Sequence, residues 1–99
     1  MTYDQMTRSA QNVLIEFYAT WCPHCRAMEP VVEQIGEMLD GQVKIVQLDI
    51  DKNTDAADAE DVTGTPTFIL YCGGRKVWRE SGEMPGEVLL NKITSHIKK

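Results

Sequence analysis

The sequence predicts an α/β domain with a central four-stranded mixed sheet flanked by helices, and three observations predict it. Residues 13–18, Val-Leu-Ile-Glu-Phe-Tyr, form a short and mostly apolar run of strand-forming types. Apolar residues then recur at spacings of three and four from Cys25 to Leu39, which is one face of a helix, and a second strand-like run follows at 43–50. Further on, Gly73-Gly74 separates two more strand-forming runs in the manner of a hairpin. Strand, helix and strand in succession imply a right-handed crossover between parallel strands, and the hairpin adds an antiparallel pair.

In chain order, residues 1–12 leave room for no more than a short helix, placed at 4–12. The run at 13–18 is apolar enough to be a central strand covered on both faces. After a brief connection, Pro23 suits the first helical turn, where its missing N–H costs nothing. Cys25, Met28, Val32, Ile35 and Leu39 form the buried stripe, and both Met28 and Met38 read as core. Pro30 falls inside this helix and is expected to kink it. Asp40-Gly41 closes it, with glycine at the C′ position. Val43, Ile45, Val46, Leu48 and Ile50 predict a second buried strand. Residues 55–62 read as a short acidic helix, 63–66 as a turn, 67–71 as a strand and 76–80 as its hairpin partner. Leu89, Ile93 and Ile97 mark a closing amphipathic helix.

Length and composition bound the function. The 99 residues make a single domain, 1–99, and 42% hydrophobic residues suffice for one core. Three cysteines are too few, and oddly counted, for a disulfide-stapled scaffold. A net charge of −5 opposes nucleic-acid binding, which needs a basic face. No apolar run approaches the roughly 18 residues of a membrane span, and no leader is visible. Read literally, the chain is a cytoplasmic monomer in a reducing compartment, although a periplasmic or secreted protein trimmed to its mature form would read the same way.

The chemistry concentrates in Trp21-Cys22-Pro23-His24-Cys25. Cys22 lies at the junction of loop and helix, and Cys25 one turn inside on the apolar face. A helix N-terminus offers free N–H groups and the positive end of the macrodipole, so it favours a thiolate at Cys22. His24 adds positive charge nearby when protonated, and Pro23 stiffens the turn. Burial raises the pKa of Cys25. Cys22 is therefore the attacking thiol and Cys25 the resolving one. The competing reading is half of a zinc site, but a second C-x-x-C or paired histidines at ligand spacing are missing.

From Val13 onward the sequence resembles thioredoxin. The motifs are Phe17-Tyr18-Ala19, Trp21-Cys22-x-x-Cys25, Pro30, Leu48-Asp49-Ile50-Asp51, Gly64-Thr65-Pro66-Thr67, Gly73-Gly74 and Gly82, in the family's order and spacing. The resemblance implies a thioredoxin-like fold, here lacking the usual first strand, and a protein-disulfide oxidoreductase. It implies that Pro66 is a cis-proline against the active-site disulfide and that Thr65 offers backbone groups to a substrate. It further implies that Trp21 covers the site, that Gly82 keeps the docking surface flat, and that the redox-active Cys22–Cys25 disulfide is the only redox group, with no cofactor or metal. Disulfide-containing protein substrates and a recycling reductase or low-molecular-weight thiol are the implied partners, without nucleic acid or membrane.

Three departures qualify the resemblance. Pro23-His24 replaces the family's Gly-Pro and is similar to bacterial periplasmic disulfide oxidases, which opens oxidation or isomerisation as an alternative; a redox-sensing binding module is another. Glu16 takes the place of a buried aspartate that helps the resolving cysteine lose its proton, and Gln47 stands where that acid's lysine partner is usual. The short N-terminal segment leaves a different sheet edge exposed.

Other residues attract attention without a comparable pattern. Cys72 reads as a small structural residue, and His96 as a helix-end residue facing solvent. Asp49, Asp51, Asn53, Asp55 and Glu60 have spacings reminiscent of a calcium loop, but Thr54 stands where the turn needs glycine, so an acidic solvated strand end and helix is expected instead.

Overall fold

Side chains alternate across a strand, so β1 (Asn12–Tyr18) sends two apolar sets to opposite faces, and both sets are covered. In the computed structural model, which describes residues 1–97, β1 is followed by α2 (Pro23–Met38), β2 (Lys44–Asp49), α3 (Thr54–Ala59), β3 (Thr67–Cys72), β4 (Arg75–Ser81) and α4 (Gly86–His96), with α1 (Tyr3–Thr7) before it. The described strands lie in the order β2-β1-β3-β4. β2 runs parallel to β1, and β3 and β4 add antiparallel pairs. This is the mixed sheet expected from the crossover and the hairpin.

On one face Leu14, Phe68 and Leu70 meet Met28, Val32 and Ile35 of α2 and Leu89 and Ile93 of α4. On the other, Val13, Ile15, Phe17 and Ile69 form a cluster with Leu48 and Ala57, against which Tyr3 and Met6 of α1 pack. The result is three layers, with β1 and β3 central and buried along their length.

Several boundaries differ from the sequence reading for identifiable reasons. The N-terminal helix covers only Tyr3–Thr7, closed at its start by a capping box between Thr2 and Gln5. Asn12 belongs to β1 instead, paired with Cys72, and its amide donates to the Gln42 carbonyl at 3.0 Å. β2 is an edge strand with Ile45 and Val46 half-buried, not a second buried strand, because only β1 flanks it. Met38 is 55% exposed rather than core, because it lies off the stripe that reaches the sheet. The acidic helix is Thr54–Ala59, displaced from 55–62. The carboxylate of Asp49 accepts from the Asp51 N–H at 2.9 Å and is buried, so this end of β2 is a side-chain-closed turn rather than a solvated acidic tip.

Pro30 lies inside α2, which continues through it, and Pro23 occupies the first turn as expected. Gly73 and Gly74 have φ of 58° and 78°, the left-handed pair that lets a two-residue turn follow the sheet twist. Gly41 also has positive φ, but one position beyond C′, since Leu39 is the C-cap.

Candidate active site

At the end of β1 the chain turns through residues 19–22 into α2 and places the Cys22 side chain on the helix N-cap. Its Sγ accepts from the Cys25 N–H at 3.3 Å and donates to the Thr65 carbonyl at 3.4 Å. Burial pushes the Cys22 pKa up. Hydrogen bonding from the Cys25 thiol, the Thr65 side chain and the backbone N–H groups of Cys25 and His24 outweighs burial and holds the pKa down at about 7. Cys25 responds in the opposite direction: burial first, then its hydrogen bond to Cys22, raises its pKa. Both thiols are unbridged and sit beside Ala19, with Tyr18 and Ile50 packed around them. One sulfur is prepared for ionisation and its neighbour is kept protonated.

The Thr65–Pro66 peptide is cis, as the resemblance implied. Pro66 accepts from the Gly82 N–H at 2.8 Å, which ties the loop after β4 to the proline turn. Gly82 has φ of 101°, and a Cβ there would meet nothing within 4 Å; backbone conformation, not crowding, is what demands glycine.

Glu16 is 2% exposed, on the face of β1 that looks toward α2. Gln47, its register partner on β2, donates Nε2–H to Oε1 at 2.8 Å. Burial raises the Glu16 pKa, the Gln47 hydrogen bond lowers it, and the charge of Glu29 raises it further, with a net upward shift. Glu16 and Cys25 both line a cleft of about 270 Å³ that also takes in Arg26, Glu29 and Gln47. The cleft gives the buried acid and the buried thiol a shared approach from the β2 edge.

A pH dependence follows with a definite sign. The folded-state pKa of Glu16 lies above the ordinary glutamate value of about 4.3, so the folded state holds this proton more tightly than the unfolded chain. That contribution to stability is complete below the unfolded value and is lost as pH rises through the folded one. Glu16→Gln keeps an acceptor for Gln47 and cannot ionise. Urea denaturation should therefore show its stability relative to wild type improving from about pH 4 to about pH 8. A difference that stays constant with pH would contradict the raised value.

The remaining predicted residues gather around the same end of the sheet. Trp21 is 62% exposed and donates its indole N–H to Asp51 Oδ2 at 3.0 Å, so its ring is held from the β2–α3 side. His24 Nδ1 lies 3.0 Å from Glu83 Oε1. Asp51, part of the Leu48-Asp49-Ile50-Asp51 motif, was not assigned this contact from sequence, and Glu83, next to Gly82, was not singled out. Cys72 is remote and buried, donating to the His96 carbonyl at 3.4 Å. Glu60 is committed to Lys76 at 2.6 Å and to Tyr71. Among the described residues, no three His, Cys, Asp or Glu side chains converge as a metal site, and no helix is long and apolar enough to cross a membrane.

A family model described as thioredoxin matches residues 1–95. A chloroplastic thioredoxin Y from Oryza sativa subsp. japonica is 32% identical over 98 residues, 98% of this chain but 58% of that protein's length. Thioredoxin 1 from Nostoc sp. is 33% identical over 85 residues, covering 86% of this chain and 79% of that protein. The solved structure of a thioredoxin point mutant from Halobacterium salinarum superposes with a TM-score of 0.87 at 34% identity, covering 97% of this chain and 83% of the other.

Proposed function

This chain belongs to the thioredoxin family of thiol–disulfide oxidoreductases, and on that premise we propose that it reduces disulfides in protein substrates through Cys22 and Cys25. The observation that carries the reading is the position of Cys22 Sγ, on a helix N-cap and against the carbonyl that precedes cis-Pro66.

The Cys22 thiolate attacks one sulfur of a substrate disulfide. A sulfur–sulfur bond to Cys22 forms, the substrate's own bond breaks, and the departing thiolate takes up from solvent the proton that Cys22 released on ionising. Cys25 then passes its proton to the Glu16 carboxylate and attacks Cys22 Sγ. This expels the second substrate thiolate, which takes the proton that Glu16 received from Cys25, and leaves the Cys22–Cys25 disulfide. Two electrons and two protons have moved from the protein dithiol to the substrate. A pKa of about 7 leaves roughly half of Cys22 ionised at neutral pH without making it a poor nucleophile. The strand-like approach at Thr65 and the flat backbone at Gly82 supply a place for an extended peptide, while Trp21 borders it. A reductase or a low-molecular-weight thiol returns the electrons.

Insulin-disulfide reduction with dithiothreitol as electron source tests this reading. The wild-type chain should accelerate the reaction; a folded chain that gives no acceleration would overturn it.

One observation favours a second reading, net oxidation or isomerisation. His24 stands between the cysteines, and its hydrogen bond to Glu83 shifts its pKa upward, which favours the positively charged imidazole near Cys22. Stabilising the thiolate favours the reduced form and makes the disulfide more oxidising. Equilibration with glutathione should give a less reducing potential than a thioredoxin with Gly-Pro between its cysteines. A potential at or below that reference would remove the second reading.

A further inference from the structure

The fold brings His24 and Glu83 together from 59 positions apart, with Nδ1 and Oε1 at 3.0 Å. His24 lies in the first turn of α2, and Glu83 follows Gly82, whose N–H is fixed to the Pro66 carbonyl. The contact therefore joins the two banks of the site, the helix that carries Cys22 and the loop tied to the cis-proline. We propose that Glu83 is a positioning residue for thiol–disulfide exchange: its hydrogen bond holds the His24 imidazole at the start of α2 and, through it, stabilises the Cys22 thiolate. The inference rests on the reading of Cys22 as the exchanging nucleophile.

The electrostatics give the proposal a sign that a direct effect of Glu83 would not have. The Glu83 hydrogen bond is the largest influence and raises the His24 pKa, burial opposes it, and the charges of Glu83 and Cys22 add to the rise. These two are the titratable groups acting on the imidazole, Glu83 from the loop after β4 and Cys22 from the start of its own helix. Arg26, two residues along α2, is engaged with the Thr20 carbonyl. A cation near Cys22 lowers the thiol's pKa. A carboxylate acting on Cys22 by its own field would raise it. Removing the Glu83 charge should therefore weaken the thiolate if His24 relays the effect, and strengthen it if Glu83 acts alone.

The side chains are 67% and 48% exposed, so the effect is modest and screened by salt. The test is equilibration of the Glu83→Gln variant in glutathione buffers, where the protein disulfide plus two glutathione thiols exchanges with the dithiol plus glutathione disulfide. Glu83→Gln should move this equilibrium toward the protein disulfide by roughly two- to fivefold. It should also raise the Cys22 midpoint and lower the His24 midpoint measured by NMR titration. In a His24→Gln background the same substitution should no longer move the equilibrium in that direction.

A lower Cys22 midpoint in Glu83→Gln, an unchanged equilibrium, or an equal shift without His24 would each overturn the proposal. These outcomes are separable from failure of the underlying reading, which is scored by wild-type insulin reduction.

Discussion

Cys22→Ser is expected to lower the rate of insulin-disulfide reduction by about three orders of magnitude or more, to the level of dithiothreitol alone. A serine hydroxyl at the same N-cap can accept the Cys25 N–H, so the helix start is retained while the ionisable sulfur is lost. The loss should therefore appear in turnover with little change in stability. Cys25→Ser should fail differently. It keeps the attacking thiolate but has no thiol to resolve the adduct, so a covalent complex through Cys22 should accumulate and be visible by non-reducing electrophoresis and mass. Removing Cys72 as well should leave both results unchanged, because that sulfur is buried against the His96 carbonyl, away from the site. Substantial turnover by Cys22→Ser, or adducts formed through Cys72, would refute the division of labour.

Phe68→Ala is expected to cost about 3–5 kcal/mol of folding stability. Phe68 is fully buried on β3, in the cluster that joins the sheet to α2 and α4. Truncation removes ring surface from the core and leaves a space that Leu14, Met28 and Leu89 cannot fill without leaving their own contacts. A domain of this size has on the order of 5–15 kcal/mol in total, so the variant should unfold at a much lower urea concentration with a similar slope. Where it remains folded, the Cys22 midpoint should stay near that of wild type, since the hydrogen bonds that hold it come from Cys25, Thr65 and the His24 backbone and not from Phe68. A cost below about 1 kcal/mol would mean that this layer is looser than its burial implies.

The central elements were legible because burial on both faces leaves a strong signature. The apolar run ending at Tyr18, the stripe from Cys25 to Leu39 and the paired glycines at 73 and 74 each admitted one reading, and together they set the topology. Edges were less legible. β2 carries five apolar residues in or beside it and read as buried, yet its exposure depends on whether another strand lies beyond it, which no local pattern reports. Met38 failed similarly, since an apolar residue off the stripe looks much like one on it.

The site divides along the same line. Cys22, whose role follows from its place at the helix start, could be found from spacing, whereas the role of Glu16 came from the family resemblance and only its burial from its apolar neighbours. The cis geometry at Pro66 came from family resemblance alone, because the local Thr-Pro sequence does not distinguish cis from trans. The contacts between Trp21 and Asp51 and between His24 and Glu83 bridge 30 and 59 residues and depend on how loops from different elements meet. An acidic residue within or next to a motif is the only trace that they leave in the sequence.

The account turns on one physical claim, that the N-cap of α2 and its hydrogen bonds hold Cys22 as a partly ionised thiol at neutral pH. Ultraviolet thiolate absorbance of the reduced chain against pH, with Cys22→Ser subtracted to isolate this sulfur, tests it most directly. The predicted result is a titration centred at about 7, with Cys25 titrating well above it. A Cys22 midpoint at the unperturbed value of about 8.5 or higher would contradict the account.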